Sequence, residues 1–307
     1  FKQFYFLKGQ TRLSFANYSH YIITGQPFNL SAWGLLLLNR IRGKKTFIWN
    51  HGWYGNENFL KKTLKKIQLK FATGYFLYGT HAKSLMEKEG FDSSKLHVIY
   101  NSLSYTKQLK IRNQTKRSTL YREHFKNNNP TLLFIGRLTK MKKIHLLLQA
   151  MQLANKEGCY FNLVLIGEGT EKQFLEGVVE KFNLKQNTWF YSSCYKEEQI
   201  GELIYNADVC VSPGNIGLTA IHSLMYGTPA ITHSNFTNQM PEFEVIEDNI
   251  TGYFFKENDP VDLKSAILKW LEKHPKKEEG LIKACYNKID MNYNPNYQIK
   301  ILMEVLQ

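Results

Sequence analysis

Between residues 131 and 273 short apolar runs alternate with longer amphipathic ones. Strand-like runs at 131–135, 161–166, 188–191, 209–211, from 230 and at 251–255 are separated by helix-like runs at 144–157, 171–182, 197–205, 218–226 and 260–272. Strands spaced by helices pair in parallel, because each return needs a crossover that the helix supplies. The pattern predicts a doubly wound α/β sheet, with ligands beyond the carboxyl ends of its strands.

The first part is less regular. Phe1 to Asn17 is aromatic and irregular, with one strand around Tyr5. Residues 18–24, 46–50, 75–77 and 97–100 read as strands, and 31–40 (Ser31 as N-cap), 59–71 and 80–88 as helices. The strand-end rule picks out His51, Thr80 and Asn101. A polar stretch ending Asn127-Asn128-Asn129-Pro130 reads as a linker. The expected organisation is residues 1–112 as a first domain, 113–130 as linker, 131–285 as a second domain and 286–307 as a terminal helical segment. At 307 residues there is chain enough for both.

Two motifs carry chemistry. Residues 211–232 read V-S-P-G-N-I-G-L-T-A-I-H-S-L-M-Y-G-T-P-A-I-T, an apolar strand end, a loop of small residues, a helix and a second strand. Backbone N–H groups at such a helix start suit an anionic or polyhydroxyl ligand. Residues 134–144, F-I-G-R-L-T-K-M-K-K-I, follow a strand and place Arg137 and Lys142 before the next helix. Ile166-Gly167-Glu168-Gly169 is a third strand-to-helix turn, equally consistent with tight packing alone.

These motifs resemble the sugar-nucleotide site of retaining GT-B glycosyltransferases of family 4 (glycosyl transferases group 1). Pro213, Gly217, Leu218, Gly227, Thr228 and Pro229 keep its frame, and Gly136-Arg137-Leu138 with Lys142 keeps its diphosphate clamp. The resemblance implies a GT-B fold, two Rossmann-like doubly wound domains facing a cleft, with the N-terminal, acceptor-side domain reduced and the terminal helix crossing back onto it. It puts Gly136, Arg137 and Lys142 at the donor's diphosphate and the amides of Gly214, Asn215, Ile216, Gly217, Leu218 and Thr219 around the donor. His222 falls at the ribose, Glu242 and the polar run 233–239 at the sugar, and His51 of His51-Gly52-Trp53 on the acceptor side. His51, Arg137, Lys142 and Glu242 are the expected catalytic residues.

There are departures. The family has glutamates where Gly214 and His222 stand, a glycine where Lys143 stands, and a glycine after the asparagine matched by Asn101, here Ser102. Either the sugar is oriented by other groups or catalysis has been lost, leaving a silent carbohydrate-binding or partner subunit. The first reading is a hexosyltransferase-type enzyme moving a sugar, with retention, from a nucleoside-diphosphate sugar to a glycan or glycolipid hydroxyl in bacterial-type surface polysaccharide synthesis. No Asp-x-Asp occurs, so no metal is expected, and no cofactor beyond the nucleotide-sugar substrate.

A net charge of +14 asks for an anionic partner, unless it is simply a solvated surface. A diphosphate-bearing donor is one. An anionic membrane surface is another, reached through the basic amphipathic helix at 58–71, where Leu60, Leu64, Ile67 and Phe71 alternate with five lysines. Nucleic acid is not expected, since no aromatic–basic module accompanies the charge. Cys159, Cys194, Cys210 and Cys285 form no Cys-x-x-Cys pair, which suits a reducing compartment. No run approaches the roughly 18–20 apolar residues of a membrane span, and the start shows no signal-peptide pattern. A cytoplasmic protein, peripheral at the inner face of the membrane, is the expected location.

Overall fold

A computed structural model describes residues 4–57 and 59–307, in two units. Phe1 and Asn58, which fall within the opening aromatic stretch and the basic helix read above, lie outside the described residues, as does the Lys61 side chain.

The first unit takes Phe1–Tyr100 and Asn296–Gln307. Its elements are β1 (His20–Ile23), α1 (Leu30–Ile41), β2 (Lys45–Asn50), α2 (Phe59–Lys70), β3 (Gly74–Leu77), α3 (Thr80–Lys88) and β4 (Leu96–Val98). The strands pair in parallel in the order β1-β2-β3-β4, with Ile23 opposite Ile48, Ile48 opposite Tyr75 and Leu77 opposite Val98. Leu36, Ile48, Leu77, Met86 and Leu96 close one core. Phe47, Phe76 and Ile99 form another, covered by Ile301, Leu302, Val305 and Leu306 of the terminal helix Pro295–Leu306.

One local expectation changes. Helix α1 is capped by Asn29, not Ser31: the Asn29 carboxamide accepts from Ala32 N at 3.2 Å, and the Ser31 hydroxyl donates to that same oxygen. In α2 the apolar stripe is not the buried face. Leu60 and Ile67 are exposed, whereas Lys65 is only 7% exposed. The Lys65 ammonium is satisfied inside, donating to Gly52 O at 2.7 Å and to the Glu57 carboxylate at 2.9 Å, and paired this way a lysine can be buried.

The second unit runs Asn101–Pro295. The stretch read as a linker belongs to it and is not coil. It carries the end of α4 (Tyr105–Gln114) and all of α5 (Leu120–Phe125). Polarity misleads here because the polar groups are the ones that dock. Ser118 N donates to Asn206 Oδ1 at 2.8 Å, and the Tyr121 hydroxyl donates to Leu203 O at 2.6 Å.

The unit continues with β5 (Thr131–Ile135), α6 (Ile144–Lys156), β6 (Asn162–Ile166), α7 (Lys172–Lys181), β7 (Thr188–Tyr191), α8 (Glu197–Asn206), β8 (Val209–Ser212), α9 (Thr219–Met225), β9 (Ala230–His233), β10 (Gly252–Phe255), α10 (Pro260–Lys273) and α11 (Glu279–Asn292). β6, β8 and β9 are buried at every position, as expected of parallel strands covered on both faces. The parallel order is β10-β9-β8-β5-β6-β7. The chain winds from β5 out to β7, then returns to β8 on the other side of β5 and winds out to β10. The strand order therefore reverses between β5 and β8, the place where open α/β sheets bind ligands.

Candidate functional site

The loops that leave β5 and β8 meet at this reversal, and both chemical motifs lie on them. The Gly214 amide donates to Lys142 O at 3.0 Å. The approach is so close that a Cβ on Gly214 would lie 2.0 Å from Met141 O and 2.7 Å from Lys142 Cα. The Thr219 hydroxyl donates to Ile135 O at 3.0 Å, tying the start of α9 to the end of β5. The Lys142 ammonium donates to Asn215 O at 2.6 Å and Asn215 Oδ1 at 3.0 Å. A third loop joins them. A Cβ on Gly167 would lie 2.0 Å from Gly136 O, and one on Gly169 would lie 2.2 Å from Leu138 O. The Gly167-Glu168-Gly169 turn is thus a packing device that braces the β5 loop.

The electrostatics match an anion. Lys142 is half-buried, and burial pushes its amine below the usual lysine range. The neighbouring Arg137 charge pushes it further, against smaller opposing effects of Cys210 and Glu242. Arg137 is exposed and bonds to no group among the described residues. Two cations held this close repel each other unless an anion lies between them. Lys143, where the family has glycine, sits in the left-handed region at φ 50 and donates to the Glu257 carboxylate at 2.6 Å.

Not all six loop amides remain for a ligand. Gly214 N is bonded to Lys142 O, and Ile216 N donates to the Gln239 side chain at 2.9 Å. Gln239 also donates to Thr232 Oγ1 and His233 O, so the polar run 233–239 braces the loop from below. Helix α9 has only seven residues, and its dipole is correspondingly slight. Lys142 and Arg137, more than the helix start, supply the positive potential.

Glu242 lies in the single-turn helix Pro241–Val245 and is 2% exposed. Asn101 donates to its Oε1 at 2.8 Å, while its Oε2 is buried with no partner among the described residues. A buried orphan carboxylate oxygen is costly unless something donates to it. Asn101, expected at a strand end, is therefore the group that aims Glu242.

His222 is not a free imidazole facing a ligand. Its Nε2 lies 2.8 Å from Glu197 Oε1, which also accepts from Tyr226 OH and Gln108 Nε2, each at 2.9 Å. Glu197 escaped the sequence reading. An acid at the first position of a predicted helix was the available signal, and it suits a helix start without any function. Gly136, Arg137, Lys142, Gly214–Thr219, His222 and Glu242 all belong to the second unit, and His51 to the first. His51 packs its ring against Tyr78 at 5.0 Å and borders a cavity of about 200 Å³ with Gly25, Gln26, Asn50, Tyr54 and Lys65.

Comparison with known proteins follows the same lines. The family described as glycosyl transferases group 1 matches residues 117–288, more than half of the chain. An uncharacterized 41.2 kDa protein in the cps region of Klebsiella pneumoniae is 30% identical over 166 residues, 53% of this chain and 42% of that protein. The chain spans less than half the length of this and the other leading sequence relatives. Among solved structures, the lipopolysaccharide outer core galactosyltransferase WaaB in its apo form has a TM-score of 0.74 at 14% identity, covering 97% of this chain and 77% of that one. Anabaena Alr3699/HepE in complex with UDP has a TM-score of 0.74 at 12% identity, covering 97% and 80%. At these identities the structures speak for the fold, which is GT-B. With its family model spanning both loops of the strand-order reversal, the chain belongs to the glycosyl transferases group 1 family.

Proposed function

We propose that this protein is a glycosyltransferase. It moves a hexose from a nucleoside-diphosphate sugar to a hydroxyl of a glycan or glycolipid, with retention, in the synthesis of a bacterial-type surface polysaccharide. The observation that carries the reading is the pairing of Lys142 with the Asn215 loop beside an Arg137 that has no partner among the described residues, at the strand-order reversal. The leaving diphosphate gains charge as the glycosidic bond breaks, and fixed cations stabilise that charge more in the transition state than in the ground state. In this reading Lys142 and Arg137 take the work that a metal does elsewhere. The unpartnered Glu242 Oε2 accepts a hydroxyl of the donor sugar, and His51 serves the acceptor side. The Klebsiella relative's place in a cps region and the galactosyltransferase likeness support a polysaccharide setting. The HepE complex with UDP supports a uridine diphosphate donor.

Incubating the protein with nucleotide sugars and candidate acceptors, and following the product by NMR, tests this. Turnover that persists in EDTA and yields the donor's own anomeric configuration is the expected result. An inverted product overturns retention, and loss of turnover in EDTA overturns metal independence. Donor binding without turnover on any acceptor leaves the silent-subunit reading, which the absence of an acid at Gly214 favours.

The membrane reading rests on α2. Phe59 is 85% exposed and Leu60 67%, and Lys62, Lys66 and Lys70 lie on the same helix. Among the described residues no helix is long and apolar enough to cross a membrane. A surface contact fits an outward apolar ridge flanked by lysines, and would hold the protein at the cytoplasmic face. Co-sedimentation with phosphatidylglycerol vesicles should fall at least tenfold in Phe59→Ser/Leu60→Ser, given roughly 1.5–3 kcal/mol per buried apolar side chain. Equal binding by the variant counts against this surface.

A further inference from the structure

Glu197 has no part in the roles assigned above, and His222, which the resemblance puts at the ribose, is bonded to it. Glu197 is the first residue of α8 and His222 the fourth of α9, helices that follow β7 and β8, so both stand at the carboxyl edge of the sheet. All three bonds that hold the carboxylate fall on Oε1, from His222, Tyr226 and Gln108. Tyr226 and Gln108 are buried, so the carboxylate is fixed from behind. No donor among the described residues reaches Oε2, and Oε2 is not among the buried orphaned atoms. Burial favours the neutral acid, but the bonds from His222, Gln108 and Tyr226 outweigh it and hold Glu197 at about 2. The group is an ionised, preorganised acceptor with one face open.

An ionised carboxylate can only accept. What it meets must therefore bring donors, which a nucleoside diphosphate carries as ribose hydroxyls and as base N–H groups. The hydroxyls lie nearer the diphosphate. Their distance from the phosphate is set by the helix: Thr219, bonded to the end of β5, precedes His222 by about one turn, on the order of 5 Å. A ribose stands about one such step from its diphosphate. Acids at this edge of doubly wound sheets accept from ribose hydroxyls.

We infer that Glu197 contacts the donor, its Oε2 accepting the ribose 2′- and 3′-hydroxyls, with His222, Tyr226 and Gln108 as the residues that position it. The carboxylate missing from position 222 is thereby supplied by the neighbouring helix, and the imidazole that replaced it serves as its brace. This rests on the diphosphate reading of the site, and the experiment separates the two.

Calorimetric titration with UDP and GDP, and with the 2′-deoxy and 3′-deoxy forms of whichever binds more tightly, is made on the wild type, Glu197→Ala and Glu197→Gln. The wild type should prefer the ribonucleotide over at least one deoxy form by roughly tenfold, the loss of a hydrogen bond to a charged group. Glu197→Ala should bind the ribonucleotide roughly tenfold to a hundredfold more weakly and show no preference, with Glu197→Gln between. Tyr226→Phe, which removes a bond to Oε1 only, should keep the preference and thereby distinguish contact from packing. A preference that survives in Glu197→Ala, or in Glu197→Gln should the alanine variant not fold, overturns the inference while sparing the site. Failure of the wild type to bind either diphosphate overturns the site and the inference together.

Discussion

Replacing Lys142 by glutamine should lower kcat by roughly a hundredfold to a thousandfold, the usual loss when one fixed stabiliser of a developing anion is removed. Glutamine is chosen because its carboxamide can still donate to Asn215 O, the bond that the lysine makes at 2.6 Å. The melting temperature should then change little, and the kinetic loss reports the charge. Arg137→Gln, at an exposed side chain without partners among the described residues, should cost less, on the order of tenfold, because solvent screens an exposed charge more. A Lys142→Gln enzyme that keeps its turnover would remove the cation from the mechanism.

Putting back the acid that the family carries at position 214 should fail. Gly214→Glu restores a chemical group and yet forces a Cβ to within 2.0 Å of Met141 O and 2.7 Å of Lys142 Cα. These are backbone atoms of the β5 loop, and that loop can yield only by giving up the 3.0 Å bond from Gly214 N to Lys142 O. Overpacking of this kind costs about 1–3 kcal/mol or more. At roughly 2–4 °C per kcal/mol for a unit of this size, the melting temperature should drop by several degrees. Gly214→Ala should show nearly the same drop, since the clash is at Cβ. Donor binding should weaken in both, because the loop that carries Asn215 moves with the backbone. A Gly214→Glu protein that melts with the wild type and turns over faster would mean that the loops part in solution.

Much of the second unit was legible because its signals are local. Apolar runs buried on both faces, helix-length amphipathic runs between them, and Gly-Arg and Gly-Thr-Pro punctuation place each loop at a strand end without tertiary information. The β5 and β8 loops were readable as a pair only through the family frame, and their contact through Gly214 is a steric fact that no spacing announces. What escaped is long-range. Asn101 to Glu242, Gln108 to Glu197 and Arg112 to Asp290 join residues 141, 89 and 178 apart, and polar side chains that dock look like polar side chains that solvate. Residues 113–130 read as a linker for the same reason, since Ser118 N donates to Asn206 and the Tyr121 hydroxyl to Leu203 O, 88 and 82 residues away. In α2 Leu60 and Ile67 stay outward, and Lys65 turns inward because the Glu57 carboxylate accepts from it. Helix α11 carries a signal in Leu281, Ile282, Cys285 and Ile289, spaced for one helical face and all buried, that the charges flanking them mask.

The central claim is that Lys142, Arg137 and the Asn215 loop hold a pyrophosphate. The most direct measurement is calorimetric titration of the wild-type chain with UDP, GDP and CMP and with the matching nucleosides. One nucleoside diphosphate should bind at least a hundredfold more tightly than its nucleoside, as two charge-assisted contacts of roughly 1.5–3 kcal/mol each imply. A nucleoside that binds as tightly as its diphosphate would contradict the account.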